Sequence, residues 1–209
     1  MTPWKDARLL ILDVETTGLS PATGAIVQLG YVCVEGRKLV AAGEQLIDPE
    51  GRAISPEAGR VHGITAADVA DAPTFADVAP GLIEEAGKCL AVVAYNAPFD
   101  ESFLMSAAWR ALGTAGIHAL QRWRWLDPFI WIKHLDRSMG RMRLVDACLR
   151  RGIPFDLDKS HGAGYDTQRL ATLLLRLMDV MPDDLDDLLA TEERWRREHW
   201  SVAADAGRG

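Results

Sequence analysis

The sequence predicts an α/β domain, and three patterns predict it. Residues 9–19 open with the apolar run Leu9-Leu10-Ile11-Leu12 and pass into Asp13-Val14-Glu15-Thr16-Thr17-Gly18-Leu19; a run of this kind reads as a buried strand. Ala25 to Val34 and Lys38 to Ile47 flank the tight reversal Glu35-Gly36 and complete an antiparallel meander of three strands. From Ser55 onward helical periodicity takes over, interrupted by short apolar strands.

The remaining elements follow from local chemistry. Gly18 to Gly24, with Ser20-Pro21, is a turn, and Asp48-Pro49-Glu50-Gly51 ends the meander. Ser55-Pro56-Glu57 starts a helix with Ser as cap and Pro at the first helical position, and Gly63 stops it. Thr65 and Asp68 form a capping box for a second short helix, and Thr74 to Ala86 is a third. Leu90 to Tyr95 is a strand, after which Asn96 opens a helix to about Leu112. Gln121 to Asp127 alternates Arg122, Trp123, Arg124 and Trp125. It reads as an edge strand whose aromatics either pack against the domain or stack bases. Pro128 to Leu135 and Leu144 to Arg151 are further helices, and a long one runs from Asp166 to about Met178. Pro182-Asp183-Asp184 divides residues 1–182 from residues 183–209. In the latter, Leu185, Leu188, Leu189, Trp195, His199 and Trp200 span an arc of about 140° on a helix. That apolar face either packs back on the domain or docks a partner, and Ser201 to Gly209 is expected to be disordered.

A chain of 209 residues suits one domain with a real core and an appendage. The net charge of -7 argues against broad adhesion to nucleic acid. It leaves room for a local site where metal ions supply the positive charge. Cys33, Cys89 and Cys148 are isolated, odd in number and without zinc-site spacing, which points to reduced thiols and the cytoplasm. The N-terminus does not read as a signal peptide, and no apolar run is long enough to span a membrane, so no membrane partner is expected.

The chemistry-bearing residues are acids in unusual places. Along a strand Asp13 and Glu15 point the same way. Two carboxylates at a buried strand end repel each other and lose hydration. A shared proton or a divalent cation relieves that, unless one acid caps the strand end and the other is solvated. Asp100 heads a core-facing helical stripe with 103, 104, 107, 108 and 111. Asp166 heads another, with Leu170, Leu173, Leu174, Leu177 and Met181, and His161 lies in the glycine-flanked loop before it. An oxygen-only donor set of high negative charge suits Mg²⁺ or Mn²⁺ rather than zinc. Two such ions clamp the attacking and leaving oxygens of an in-line phosphoryl displacement. Asp13 is then the natural bridge, and a histidine titrating near neutrality suits the general base.

The motifs Asp13-x-Glu15-Thr16-Thr17-Gly18, Asn96-x-x-Phe99-Asp100 and His161-x4-Asp166 stand in one order, with His62-Gly63-Ile64-Thr65 between the first two. On these the chain, over about residues 7 to 181, resembles the DEDDh 3′-5′ exonucleases, which include the proofreading subunit of bacterial DNA polymerase III, ribonuclease T and oligoribonuclease. The resemblance implies a ribonuclease H-like fold, with a mixed five-stranded sheet in order 3-2-1-4-5 and helices packed around it. It implies two Mg²⁺ or Mn²⁺ ions, with Asp13, Glu15 and Asp166 as ligands, Asp13 bridging, Asp100 contributing directly or through water, and His161 activating the nucleophile. It places the 3′-terminal nucleotide against Thr16, Thr17, Gly18 and Leu19, with Val61, His62, Asn96 and Phe99 at substrate-contacting positions. Tyr95 stands where many relatives have His, and Gln28 where many have Glu; both read as drift that leaves the chemistry intact.

The expected activity is release of nucleoside 5′-monophosphates from the 3′ end of single-stranded DNA, because Asp13 to Leu19 looks more like the polymerase-associated branch than like oligoribonuclease. One alternative is an exoribonuclease of the ribonuclease T or oligoribonuclease kind, acting as a homodimer. Another is a non-enzymatic subunit of a polymerase assembly, tethered through Leu185 to Trp200. A calcium-binding module has no use for His161, and no EF-hand spacing is present.

Overall fold

The structure, a computed structural model, describes residues 2–137 and 142–206, with side chains described as far as residue 199. Five strands make one mixed sheet: β1 (Leu9–Thr16), β2 (Ile26–Glu35), β3 (Lys38–Leu46), β4 (Ala91–Val93) and β5 (Trp125–Leu126). Their order is β3-β2-β1-β4-β5, as the resemblance implies. The first three are antiparallel, and β4 and β5 join in parallel. Gly36 and Arg37, both at positive φ, make the two-residue turn between β2 and β3, the geometry that matches the twist of a hairpin.

β1 shows why its sequence is an unbroken apolar run. Leu9 and Ile11 face one core, and Leu10, Leu12 and Val14 face another. A strand covered on both sides needs apolar residues at every position. The second core lies under α3 (Phe75–Gly87), α4 (Ala97–Leu112) and α5 (Thr114–Leu120), through Leu82, Phe103, Leu104 and Leu120. The first lies under α6 (Pro128–Leu135), α7 (Leu144–Arg150) and α8 (Ala163–Leu177), through Trp131, Cys148, Leu170 and Leu174. Each fully buried leucine contributes about 1.5–3 kcal/mol. Asp13 and Glu15 continue the Leu9–Ile11 face, so the strand's own alternation aims both acids at the α8 side.

The caps fall where the sequence predicts. Ser55 Oγ accepts from Ala58 N–H at the head of α1 (Pro56–His62), and Gly63 ends that helix in the left-handed region at φ 73°. Thr65 with Asp68 caps α2 (Ala66–Val69). A second box not read from the sequence, Thr74 with Asp77, caps α3, so Thr74 precedes that helix and is not its first residue. Two expectations need revision. The strand expected over 90–95 is confined to Ala91–Val93, and the edge strand over 121–127 to Trp125–Leu126. The last helix, α9, spans Leu185–Ala206, and residues 207–209, part of the tail expected to be disordered, lie outside the described ones. The cysteines are free but not isolated: Cys33, Cys89 and Glu85 bring three donor atoms within 4.8 Å. Arg8 already neutralises Glu85 there, and the Cys33 thiol donates to the same carboxylate. The neighbouring Cys89 sulfur and burial hold that thiol protonated, far above its usual range.

The C-terminal helix packs on its own chain. Leu185 and Leu188 are fully buried in the core beside Trp131, and Trp195 stacks on His134 with ring centroids 4.1 Å apart. The N-terminal segment secures its start, with Trp4 Nε1 donating to the Pro182 carbonyl and Leu185 N–H to that of Thr2. Among the described residues no helix is long and apolar enough to cross a membrane.

Candidate active site

Three elements deliver the five singled-out side chains to one place. β1 supplies Asp13 and Glu15 just before its register with β2 slips between Glu15 and Thr16. The irregularity turns the chain out of the sheet into Thr17-Gly18.

α4 supplies Asp100. Asn96 enters the left-handed region (φ 66°, ψ 50°), a conformation asparagine tolerates better than most residues, and so swings the chain from β4 into the helix. Asp100, in the first turn, is almost wholly buried. β4 pairs with β1 only as far as Ile11, and Asp100 Oδ1 accepts from Val14 N–H at 3.1 Å beyond that point. The carboxylate thus satisfies a backbone donor that the short strand leaves behind.

α8 supplies Asp166. Its N-terminus lies directly on β2 at Gly30: a Cβ there would sit 2.2 Å from the backbone of Ala163. Gln28 Oε1 accepts from Ala163 N–H at 3.1 Å. Gln28, read from sequence as drift, therefore holds one of the otherwise unpaired donors of the helix start. Because Gly30 and Gln28 sit opposite Asp13 and Glu15, this contact sets Asp166 beside the β1 acids. His161 occupies the exposed preceding loop at φ 63°, and its backbone N–H donates to Asp166 Oδ2 at 3.3 Å.

All five residues line one cleft of about 680 Å³. Burial, followed by the charge of Asp166, pushes Asp13 up to about 7. Burial, followed by Asp13, Asp166 and Asp100, pushes Glu15 up to about 9. Asp100 is raised well above the carboxylate range by burial and Asp13, against the opposing Val14 N–H. Asp166 is raised by burial, with His161 opposing. Each acid therefore resists ionisation beside the others. Asp166 Oδ1 is buried without a hydrogen-bond partner, an orphan that a cation would satisfy. Hard carboxylate donors with an unfilled lone pair fit Mg²⁺ or Mn²⁺.

The cleft walls carry most of the other expected contacts: Thr16, Gly18, Leu19, Val61, His62, Asn96 and Phe99. Leu19 is 88% and Val61 52% exposed, apolar side chains left in water at the mouth. Thr17 differs. It is buried, its Oγ1 accepts from Ala25 N–H at 2.9 Å, and it does not line the cleft. Its side chain is engaged in closing the turn. His62 Nδ1 accepts from Ile64 N–H at 3.0 Å, which leaves the proton on Nε2 to donate to the Thr16 carbonyl at 3.1 Å. Burial lowers its pKa and keeps the ring neutral, so His62 braces the end of β1. Ser20, Ser55, Glu57 and Tyr95 also line the cleft and were not among the site residues expected from sequence, Tyr95 having been read as drift. Nothing in their type marks them, although the cap signal at Ser55 locates α1. Tyr95 donates its hydroxyl proton to the Met142 carbonyl at 3.1 Å.

The family model described as Exonuclease matches residues 10–174. The chain is 34% identical to ribonuclease T of Yersinia enterocolitica over 191 residues, covering 81% of this chain and 84% of that protein. It is 28% identical over 178 residues to the PolC-type DNA polymerase III of Caldanaerobacter subterraneus subsp. tengcongensis, a match to 85% of this chain and 12% of the polymerase. A solved structure of exonuclease X in complex with 5′ overhanging duplex DNA superimposes with a TM-score of 0.69 at 27% identity, over 88% of this chain and 99% of that one. With that family spanning most of the sequence, and the ribonuclease H-like sheet order beneath its acids, the chain belongs to the exonuclease family, as a 3′-5′ exonuclease resembling the DEDDh enzymes.

Proposed function

We propose that this exonuclease removes nucleotides from the 3′ end of single-stranded DNA and releases nucleoside 5′-monophosphates, with two divalent cations, Mg²⁺ or Mn²⁺, held by Asp13, Glu15, Asp100 and Asp166. The observation that carries the reading is the convergence of these four carboxylates and His161 on one cleft that pushes all four acids toward protonation. Such a cluster costs free energy that cation binding returns. Cations held by these four acids would supply Lewis-acid polarisation of the scissile phosphate and compensate the charge that develops in an in-line displacement.

The chain's own residues do the rest. Asp13 interacts with Glu15, Asp100 and Asp166 alike, which suits it to the bridging position. His161, on an exposed loop beside Asp166, takes the proton from the attacking water. Backbone groups of Thr16 and Gly18 read the free 3′-hydroxyl where β1 leaves the sheet. Leu19, Val61 and Phe99 offer apolar surface to the terminal sugar and base, with Asn96 and His62 as the polar flank. Thr17 supports this wall from behind.

The 34% identity to ribonuclease T favours a second reading, in which the strand is RNA. Digestion of matched 5′-labelled DNA and RNA oligonucleotides, with EDTA and then Mg²⁺ or Mn²⁺ added back, tests both. The expected result is a ladder shrinking from the 3′ end, faster on DNA, silenced by EDTA and restored by either ion. Faster digestion of RNA selects the second reading. Undiminished cutting in EDTA rejects the metal assignment.

A further inference from the structure

Behind the cleft lies a buried acid pair with no part in the chemistry above. Asp127, between β5 and α6, is 1% exposed, and Glu192, on α9, is 5% exposed. Glu192 Oε2 accepts from the Asp127 backbone N–H at 3.0 Å and from Trp131 Nε1 at 2.9 Å. Arg196, one turn further along α9, reaches Glu192 Oε1 at 2.9 Å and Asp127 Oδ2 at 3.5 Å. Asp127 Oδ1 in turn accepts from the backbone N–H groups of Asn96, at 2.9 Å, and Phe129, at 3.1 Å.

Asn96 is the left-handed residue that turns the chain into α4, and its carbonyl accepts from Phe99 N–H at 3.0 Å. We propose that α9 is a positioning element of the active site: Glu192 and Arg196 hold Asp127, and Asp127 holds the Asn96 turn, which sets Asn96 and Phe99 against the terminal nucleotide. The proposal rests on the reading of those two residues as substrate contacts. A left-handed turn is a strained conformation that persists where neighbours over-determine it. Here the determinant is a carboxylate whose own place depends on a helix about 65 residues away in sequence. Two isolated buried acids would be costly, and the shared guanidinium and the two donors to Glu192 make the arrangement tenable.

The split between binding and turnover is a consequence of the geometry. Asp100 has its own anchor on Val14, whereas Asn96 and Phe99 take their place from the turn. Disturbing α9 therefore weakens nucleotide contacts more than it disturbs the acids. Steady-state kinetics on a 5′-labelled single-stranded oligonucleotide with Mg²⁺, using the full chain, tests this. Glu192→Ala is expected to raise KM about tenfold while kcat changes less than about threefold. Glu192→Gln keeps an acceptor for Asp127 N–H and Trp131 and is expected to restore most of the lost KM. Phe99→Ala serves as the independent check on the substrate contact. A raised KM in Phe99→Ala with parental kinetics in a folded Glu192→Ala overturns the positioning role alone. An unchanged KM in Phe99→Ala removes the reading on which the role rests. If Glu192→Ala does not fold, Arg196→Met takes its place. It leaves Glu192 on its two donors but removes the guanidinium from Asp127, and a parental KM in folded Arg196→Met overturns the proposal.

Discussion

At the scale of single residues, the site depends on groups that are uncomfortable without a ligand. Asp166 keeps one oxygen on the His161 backbone N–H and leaves the other buried without a partner. His161 stands in the left-handed region, a conformation that positions a side chain without help from a helix or strand. In the general-base role proposed for it, His161 acts in proton transfer rather than in the acid cluster. Replacing it with alanine is therefore expected to lower kcat by about 10²- to 10⁴-fold, with the Mg²⁺ or Mn²⁺ affinity, read by titration calorimetry, unchanged. A His161→Ala enzyme that cuts at the parental rate removes His161 from the mechanism. The neutral His62, pinned between Ile64 N–H and the Thr16 carbonyl, shows the opposite use of a histidine, as a brace.

At the scale of elements, the placement of α8 on β2 matters most. The helix start approaches so closely that Gly30 has no room for a side chain. In Gly30→Ala the added methyl meets the Ala163 backbone, so α8 must move outward and carry Asp166 and His161 with it. A displacement of about 1 Å is enough to cost roughly 100-fold in rate. The expected variant is folded by circular dichroism, melts lower than the parent, and has lost about two orders of magnitude in kcat. A Gly30→Ala protein with parental turnover means the helix yields without moving its acid. The same contact makes Gln28, opposite Glu15, part of the support of the site.

At the scale of the whole molecule, stability without metal is tied to pH through the acid cluster. Burial and the neighbouring acids push Asp13 up to about 7 and Glu15 up to about 9 in the fold, against ordinary values of 3.8 and 4.5. A carboxyl raised on folding binds more protons folded than unfolded. Its stabilising effect is complete below the ordinary value and is lost as pH rises through the raised one. Metal-free protein is therefore expected to melt at progressively lower temperature from about pH 4 to about pH 9. Asp13→Asn removes one repelling charge and is expected to raise the metal-free melting temperature at pH 8 by about 2–8 °C, while abolishing turnover. Mg²⁺ or Mn²⁺ should flatten the parental pH dependence, since cations replace the protons. A parent and an Asp13→Asn variant with identical metal-free melting curves from pH 5 to pH 9 refute the electrostatic account.

By itself, the sequence determined what local rules govern. The apolar run at Leu9–Leu12, the caps at Ser55 and Thr65, the stop at Gly63 and the acids heading α4 and α8 are all patterns within a few residues of one another. Backbone dihedrals and side-chain periodicity are set over that range. Tertiary structure alone decided that Thr17 turns inward while Thr16 faces the cleft, that Cys33 and Cys89 meet, that Gln28 seats α8, and that Glu192 on the last helix reaches Asp127. Those outcomes depend on distances between residues far apart in the chain. Desolvation and Coulomb interaction, which give the acid cluster its character, exist only once the chain has folded and excluded water from between them.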